Sequence, residues 1–150
     1  MKISDLIKIV MAFCVFLVFT GEGYAQESSG VSSLIGKWHF QYAPSYAGMS
    51  TENKEILESS PDLKAQILKI YINRVLYFGP NGGFEQIDGN GNRVEGIWTL
   101  SGQTLTITDP SGNIWVQTVA QLTERQIVLR QNAMGEGQPV FSDLYFIKTE

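Results

Sequence analysis

The stretch LIGKWHFQY, residues 34–42, predicts the first strand of an all-β protein. Trp38, Phe40 and Tyr42 alternate with polar residues, which is the two-residue period of a strand with one buried face. Pro44-Ser45 then ends the predicted strand. The partner strands for this segment must come from the chain that follows it.

From residue 74 onward the same two-residue period recurs, interrupted by turn residues such as Gly, Asn, Asp and Pro. Seven further strands are predicted at 74–78, 84–88, 93–100, 104–108, 114–120, 125–130 and 140–147, with a loop over 134–137. Eight strands joined mostly by hairpins form an antiparallel meander, and its closure removes exposed strand edges. We therefore predict an all-β, eight-stranded antiparallel up-and-down meander barrel, with an open sandwich as the alternative.

Residues 50–72 interrupt the strands with the spacing of helices. Ser50 or Thr51 can cap a first helix, and Ser60-Pro61-Asp62 supplies a cap, a first-position proline and an acidic residue for a second. A short helical pair is thus predicted between strands 1 and 2. Four apolar residues of the second helix are candidates for a lid over the barrel: Leu63, Ile67, Ile70 and Tyr71.

The N-terminal residues have the features of a secretion signal. An uncharged apolar run follows Lys2 and Lys8, and Gly23-Tyr24-Ala25 offers the small residues of a cleavage site. The run of about 11–13 apolar residues is short for a membrane span, although a retained anchor is the alternative. We expect a signal peptide over 1–25, export to the periplasm or the medium after cleavage near Ala25, and no membrane span thereafter. A flexible tether over 26–33 and a barrel domain over 34–150 would follow.

Composition and charge argue against a nucleic-acid partner and against cysteine chemistry. The chain carries 11 Lys and Arg against 15 Asp and Glu, a formal net charge of -4 with no basic run, which argues against nucleic acid. The one cysteine, Cys14, lies in the predicted signal, so the exported chain would have neither a disulfide nor a thiolate site. We expect no cofactor.

Two features invite a metal-site interpretation, and neither supports it. The only histidine, His39, faces away from Trp38 by alternation and is expected at the surface. The segment 88–92, DGNGN, places oxygens as a calcium loop does, but Arg93 and Thr99 stand where such a loop needs glycine and glutamate. The segment is predicted to be a hairpin turn.

Gly36-Lys37-Trp38, at the head of the first strand of this meander, resembles the G-x-W signature of lipocalins. The resemblance covers residues 34–148 and extends to small bacterial secreted lipocalin-like domains, through LIGKW, the helical insert and LYFGPNGGFEQ. It implies that Gly36 and Trp38 are structural signature residues, and that Trp38 packs across the closed end of the barrel. An arginine late in the meander should cover its ring, with Arg130 as first choice and Arg125 as second.

The chain departs from typical lipocalins in its helical pair and in its lack of cysteine after the signal. A helical pair in the first connection is closer to the fatty-acid-binding proteins, where it covers the cavity. The lipid-carrier interpretation is therefore an analogy of fold and lid.

Seven residues are predicted to face the interior as cavity candidates: Trp38, Phe40, Tyr42, Val94, Trp98, Leu105 and Ile107. Aromatic and branched side chains suit an apolar ligand, and they suit a core filled by side chains equally well, so both interpretations stay open. Gly96 lies on the same face and either bends the barrel or leaves room.

The sequence thus predicts a secreted or periplasmic lipocalin-like binding protein for a small hydrophobic or amphipathic ligand. The alternative is a protein-interaction or inhibitor module with a filled core, in which outward aromatics such as Trp115 or Tyr145 contact a protein partner. No catalytic motif is present, and the strand carboxylates Glu85, Glu95 and Asp143 show no pairing that would indicate acid–base chemistry, so no enzyme is expected.

Overall fold

The eight strands close into an antiparallel barrel, which confirms the predicted fold class and excludes the open sandwich. The computed structural model describes residues 30–132 and 139–149. Each strand pairs with the next one in sequence, and the last pairs with the first. The strands are β1 Gly36–Gln41, β2 Val75–Phe78, β3 Gly83–Ile87, β4 Arg93–Ser101, β5 Thr104–Thr108, β6 Ile114–Leu122, β7 Gln126–Gln131 and β8 Asp143–Thr149.

The two ends of the barrel differ in what covers them. At the closed end, where β1 begins, residues 30–34 are helical and Leu34 is fully buried. Residues 30–33, predicted as part of a flexible tether, thus lie in a helical segment. The predicted signal segment 1–25 and the loop 134–137 lie outside the described residues. The opposite end, where β1 ends, carries the helices and is called the helical end below.

Three helices, rather than the predicted two, connect β1 to β2: α1 Tyr42–Ala47, α2 Thr51–Ser59 and α3 Pro61–Tyr71. The predicted pair corresponds to α2 and α3. Ser50 caps α2 by accepting a hydrogen bond from the Asn53 amide at 3.1 Å, and Pro61 is the first residue of α3.

Helix α1 corrects the prediction that β1 continues to Tyr42. The Ser45 hydroxyl donates to the Gln41 carbonyl at 2.7 Å and accepts from the Tyr145 amide at 3.0 Å. Ser45 is fully buried, so these two bonds fix the chain as it leaves β1. Pro44 fits here because the first turn of a helix needs no amide donor. Tyr42 therefore leaves the barrel wall and packs edge-on against Phe141, with ring centroids 6.2 Å apart.

Trp38 is fully buried at the closed end, where its indole Nε1 donates to the Leu34 carbonyl at 2.8 Å. The cation over its ring is Lys148, whose Nζ lies 4.9 Å from the ring centroid and donates to the Ser33 carbonyl at 2.8 Å. The prediction that Arg130 covers this ring is wrong. Arg130 is exposed and pairs with Asp143 across β7 and β8, with Nε 2.9 Å from the carboxylate.

The second choice for that cation, Arg125, is exposed in the turn before β7. Gly36 explains why a lysine stem can reach the indole. Its φ is +135°, a conformation that side-chain-bearing residues rarely adopt, and a Cβ there would lie 2.7 Å from the Lys148 Cε. The glycine of the G-x-W motif thus leaves room for the cation that covers the tryptophan.

Two hairpin turns at the helical end share the pattern D-x-x-G-N. In each, the Asp88 or Asp109 carboxylate accepts from the amide and side chain of the asparagine four residues later, at 2.8–2.9 Å. These hydrogen bonds hold the pKa of both carboxyls below the usual 3.8. The bonds from the Asn92 and Asn113 side chains contribute most. The 88–92 segment is a hairpin turn, as predicted.

Candidate functional site

The barrel contains a cavity of about 250 Å³ in its helical half. Seven of the eight strands contribute to its wall, together with the residue that precedes β2. The lining is mostly apolar, with three polar side chains: Arg74, Leu76, Phe84, Gln86, Val94, Ile107, Trp115, Gln117, Leu129, Leu144 and Phe146. A concave, mostly apolar space with a few polar groups has the character of a small-molecule site.

The mouth of the cavity is inferred from its two most exposed lining residues, Val94 near the start of β4 and Trp115 near the start of β6. Val94 and Trp115 are 37% and 36% exposed, whereas Leu129, Leu144 and Phe146 on β7 and β8 are at most 2% exposed. A ligand that enters between Val94 and Trp115 would therefore pass from solvent to a buried apolar surface inside the barrel.

Aromatic rings fill the barrel interior next to the cavity, and of these Phe84 lines it. Phe78 contacts Phe84 and Trp98 with centroid distances of 5.3 and 5.6 Å, and the Trp98 Nε1 donates to the Gly79 carbonyl at 3.1 Å. These buried rings fill the half of the interior that leads to Trp38. The interior is thus filled at the closed end and hollow at the helical end.

The structure separates the seven predicted cavity residues. Val94 and Ile107 line the cavity, while Trp38, Trp98 and Leu105 are buried in the filled half. Phe40 and Tyr42 do not line it either, because they pack with Tyr71 and Phe141 beneath the helices. Alternation assigned the inward face, but the strand pattern does not say which part of that face meets empty space.

Gly96 lies opposite Phe84 in the β3–β4 ladder. A Cβ at Gly96 would lie 2.5 Å from the Thr108 carbonyl oxygen on β5. The missing side chain thus lets the backbones of β4 and β5 approach, which is the bend interpretation.

None of the predicted lid residues lines the cavity in the described part of the chain. Tyr71 packs against Phe40 and Phe141, with centroids 5.5 and 4.8 Å apart, and Ile67 packs against the core. Leu63 is 37% exposed, and Ile70 is half-buried. The helices therefore cover an aromatic cluster beside the cavity.

Arg74 is the residue at this site that sequence reasoning missed. It is 9% exposed, lines the cavity, and its guanidinium Cζ lies 3.9 Å from the centroid of the Tyr71 ring. Burial lowers the pKa of Arg74, against the raising influence of Tyr71 and Asp88. Since an arginine pKa is far above neutrality, the group is charged at physiological pH.

Backbone contacts fix Arg74 at the cavity. Its amide donates to the Tyr71 carbonyl at 3.0 Å, and its carbonyl accepts from the Phe40 amide at 3.0 Å. Asn73 before it has φ +67°, the left-handed conformation that asparagine tolerates better than most residues. The asparagine at this point was the available signal in the sequence for a turn between α3 and β2.

Trp115 also differs from its predicted place. We predicted it on the outward face as part of a protein contact, but it pairs with Ile107 and lines the cavity. Tyr145 lies on β8 between two inward residues and is half-buried. Gln86 and Gln117 are the other polar lining residues, and both sit on the inward parity of their strands.

The carboxylates considered for catalysis are paired with arginines. Glu85 and Glu95 contact Arg93 at 2.6 and 2.8 Å, and Asp143 contacts Arg130. No group of three or more His, Cys, Asp and Glu residues within 30–132 and 139–149 is placed to hold a metal ion. His39 is half-buried on β1. Over the same residues, no helix has both the length and the apolar character needed to span a bilayer.

Comparison with known proteins gives no match of this chain to a protein-family model, to a curated protein or to a solved structure.

Proposed function

We propose that this protein is an exported, lipocalin-like binding protein that holds a small hydrophobic or amphipathic molecule in its barrel. The observation that carries the proposal is the cavity of about 250 Å³, walled by apolar side chains and open between Val94 and Trp115. Protein interiors are normally close-packed, with few voids larger than a water molecule, so a hollow of this size has a cost in lost contacts. Binding a ligand would offset that cost.

The size of the cavity restricts the ligand. Drug-sized ligands occupy pockets of about 300–1,000 Å³, so this cavity suits a smaller molecule, such as a short acyl chain or a single aromatic ring. The rings of Phe84, Trp115 and Phe146 offer flat apolar surface for either.

Native mass spectrometry of the protein purified without detergent from its own host tests the proposal. We expect extra mass that disappears on organic extraction. If the folded protein instead shows its bare mass, and the extracted protein then takes up no apolar compound, the binding function is wrong.

Two variants test whether the space is real and used. Ile107→Phe would project a ring into the cavity, so we expect it to leave stability nearly unchanged and to remove the bound mass. Leu105→Phe, two residues earlier on the same inward face, would overpack the filled half and cost about 1–3 kcal/mol. Equal destabilisation by both variants would mean that the cavity cannot accept added volume.

A second function, a protein-interaction module, is favoured by one surface observation. Ile97, Ile114 and Val116 are 61%, 58% and 43% exposed on the outer face of β4 and β6. They, and not Trp115, form the apolar surface that would contact a partner protein. Replacing Ile97 and Ile114 with threonine should abolish binding of the partner protein, while the extra mass of the bound ligand in native mass spectrometry stays unchanged.

A further inference from the structure

The cavity wall combines an apolar surface with one cation. Arg74 is the one charged side chain among the described lining residues, and it is more than nine-tenths buried. No carboxylate lies within ion-pair distance of it in the described part of the chain. Its Nε, fully buried, has no hydrogen-bond partner there. A buried charge without a counterion is rare in folded proteins, because its desolvation is uncompensated.

The neighbouring acidic side chain, Asp88, is hydrogen-bonded to other residues. Asp88 stands next to Arg74 across the β2–β3 ladder, one step beyond the paired residues Val75 and Ile87. Its two carboxylate oxygens accept three hydrogen bonds from Asn90 and Asn92 in the hairpin turn. Asp88 therefore influences Arg74 through space without pairing with it.

The guanidinium is held from one side. Its Cζ lies 3.9 Å from the centroid of the Tyr71 ring, which in turn contacts Phe40 and Phe141. A guanidinium over an aromatic ring can still donate through its remaining N–H groups, and the buried Nε of Arg74 is one that has no partner in the described part of the chain. Gln86 and Gln117 add neutral amide groups to the same wall.

We propose that the ligand is a small monocarboxylate, with its carboxylate on the edge of the Arg74 guanidinium and its apolar part against Leu129, Leu144 and Phe146. This inference rests on the proposed binding function and names the class of ligand. A carboxylate matches the planar donor edge of arginine by forming two parallel hydrogen bonds. One cation in an otherwise uncharged wall balances a single negative charge, and the volume holds only a short chain or one ring.

Isothermal titration of the delipidated full-length protein with three eight-carbon probes tests the inference. Octanoate, octanol and octylammonium share the apolar chain and differ in charge at the head. We expect octanoate to bind about 10–100-fold more tightly than octanol, which is the effect of a charge-assisted hydrogen bond, and octylammonium not to bind. Trp115 fluorescence should change with octanoate, and this change should be absent in Trp115→Phe.

Substitution of Arg74 assigns the preference to this residue. In Arg74→Met, octanoate should lose its 10–100-fold advantage while octanol binds as before, and Arg74→Lys should retain part of the preference because it keeps the charge. Arg125→Met, an exposed arginine outside the cavity, is the matched control and should change nothing.

The outcomes separate the two proposals. Octanol binding as tightly as octanoate, or a preference that survives in Arg74→Met, would overturn the carboxylate assignment and leave the cavity as a binding site for neutral molecules. If neither octanoate nor octanol binds the wild-type protein, the proposed binding function itself fails. Should Arg74→Met not fold, the wild-type ratio of octanoate to octanol still decides the assignment.

Discussion

Lys148 provides the sharpest test of how the closed end is stabilised. Its Nζ lies 4.9 Å from the Trp38 ring centroid and donates to the Ser33 carbonyl at 2.8 Å. A cation over an indole contributes about 1 kcal/mol at a half-buried site. The charged hydrogen bond adds about 1 kcal/mol after allowance for solvent exposure. Lys148→Met keeps most of the stem volume against Gly36 and removes both interactions, so we expect a loss of about 2 kcal/mol in the free energy of unfolding.

Urea unfolding followed by tryptophan fluorescence measures this loss, and thermal unfolding should show a midpoint lower by about 8 °C for a domain of this size. Lys37→Met, on the exposed neighbour of Trp38 in β1, is the matched control and should change stability by less than about 0.5 kcal/mol. A double-mutant cycle with Trp38→Leu should give a coupling near 1 kcal/mol, within the usual range for contacting residues of about 0.5–3 kcal/mol. If Lys148→Met and Lys37→Met lower the free energy of unfolding equally, the Lys148 interactions with Trp38 and Ser33 do not stabilise the protein.

Two further predictions concern the turns. Gly89→Ala would place a Cβ in overlap with the Lys69 and Ile72 carbonyl oxygens, so it should lower the free energy of unfolding in urea by about 3 kcal/mol. Gly112→Ala, at a position with open space around it but φ +85°, should lower the free energy of unfolding by about 1 kcal/mol. If the two alanine variants lose equal stability, close packing of α3 against the β3–β4 turn is refuted. Because the pKa values of Asp88 and Asp109 are lowered by folding, their stabilisation is present above pH 3.8 and is lost as the pH falls through the lowered values. Asp109→Asn should therefore flatten the decline of unfolding free energy as the pH falls below 3.8, and an unchanged slope would contradict this assignment.

Much of the fold was predictable because a barrel meander is assembled from local signals. Alternation marks each strand, and the turn segments 79–83, 88–92 and 109–113 specify tight connections between neighbours. Helices α2 and α3 were predictable from Ser50, which caps α2, and from Pro61, the first residue of α3. Ser60 lies at the N-cap position of α3, as predicted, but its side chain makes no cap hydrogen bond. Helix α1 was not predictable, since its position depends on a bond between the Ser45 hydroxyl and the Tyr145 amide, which are 100 residues apart.

The candidate site was predictable only in part. Val94 and Ile107 could be assigned to the inner face by their period, and both line the cavity. Arg74 could not be, because its burial depends on the left-handed turn at Asn73 and on the ring of Tyr71. Trp115 was assigned to the wrong face, since its neighbours Ile114 and Val116 are more regularly apolar and yet point outward.

The pattern of the chain determined the number of strands, their order and, for strands such as β4 and β5, the side that faces inward, because these follow from a two-residue period and from turn chemistry close in sequence. Tertiary structure alone decided which cation covers Trp38, which half of the barrel is filled, and where the buried arginine points. These depend on side chains that meet across the barrel from strands far apart in sequence. An alternating strand has the same pattern whether the space beside it is filled by a ring or left for a ligand.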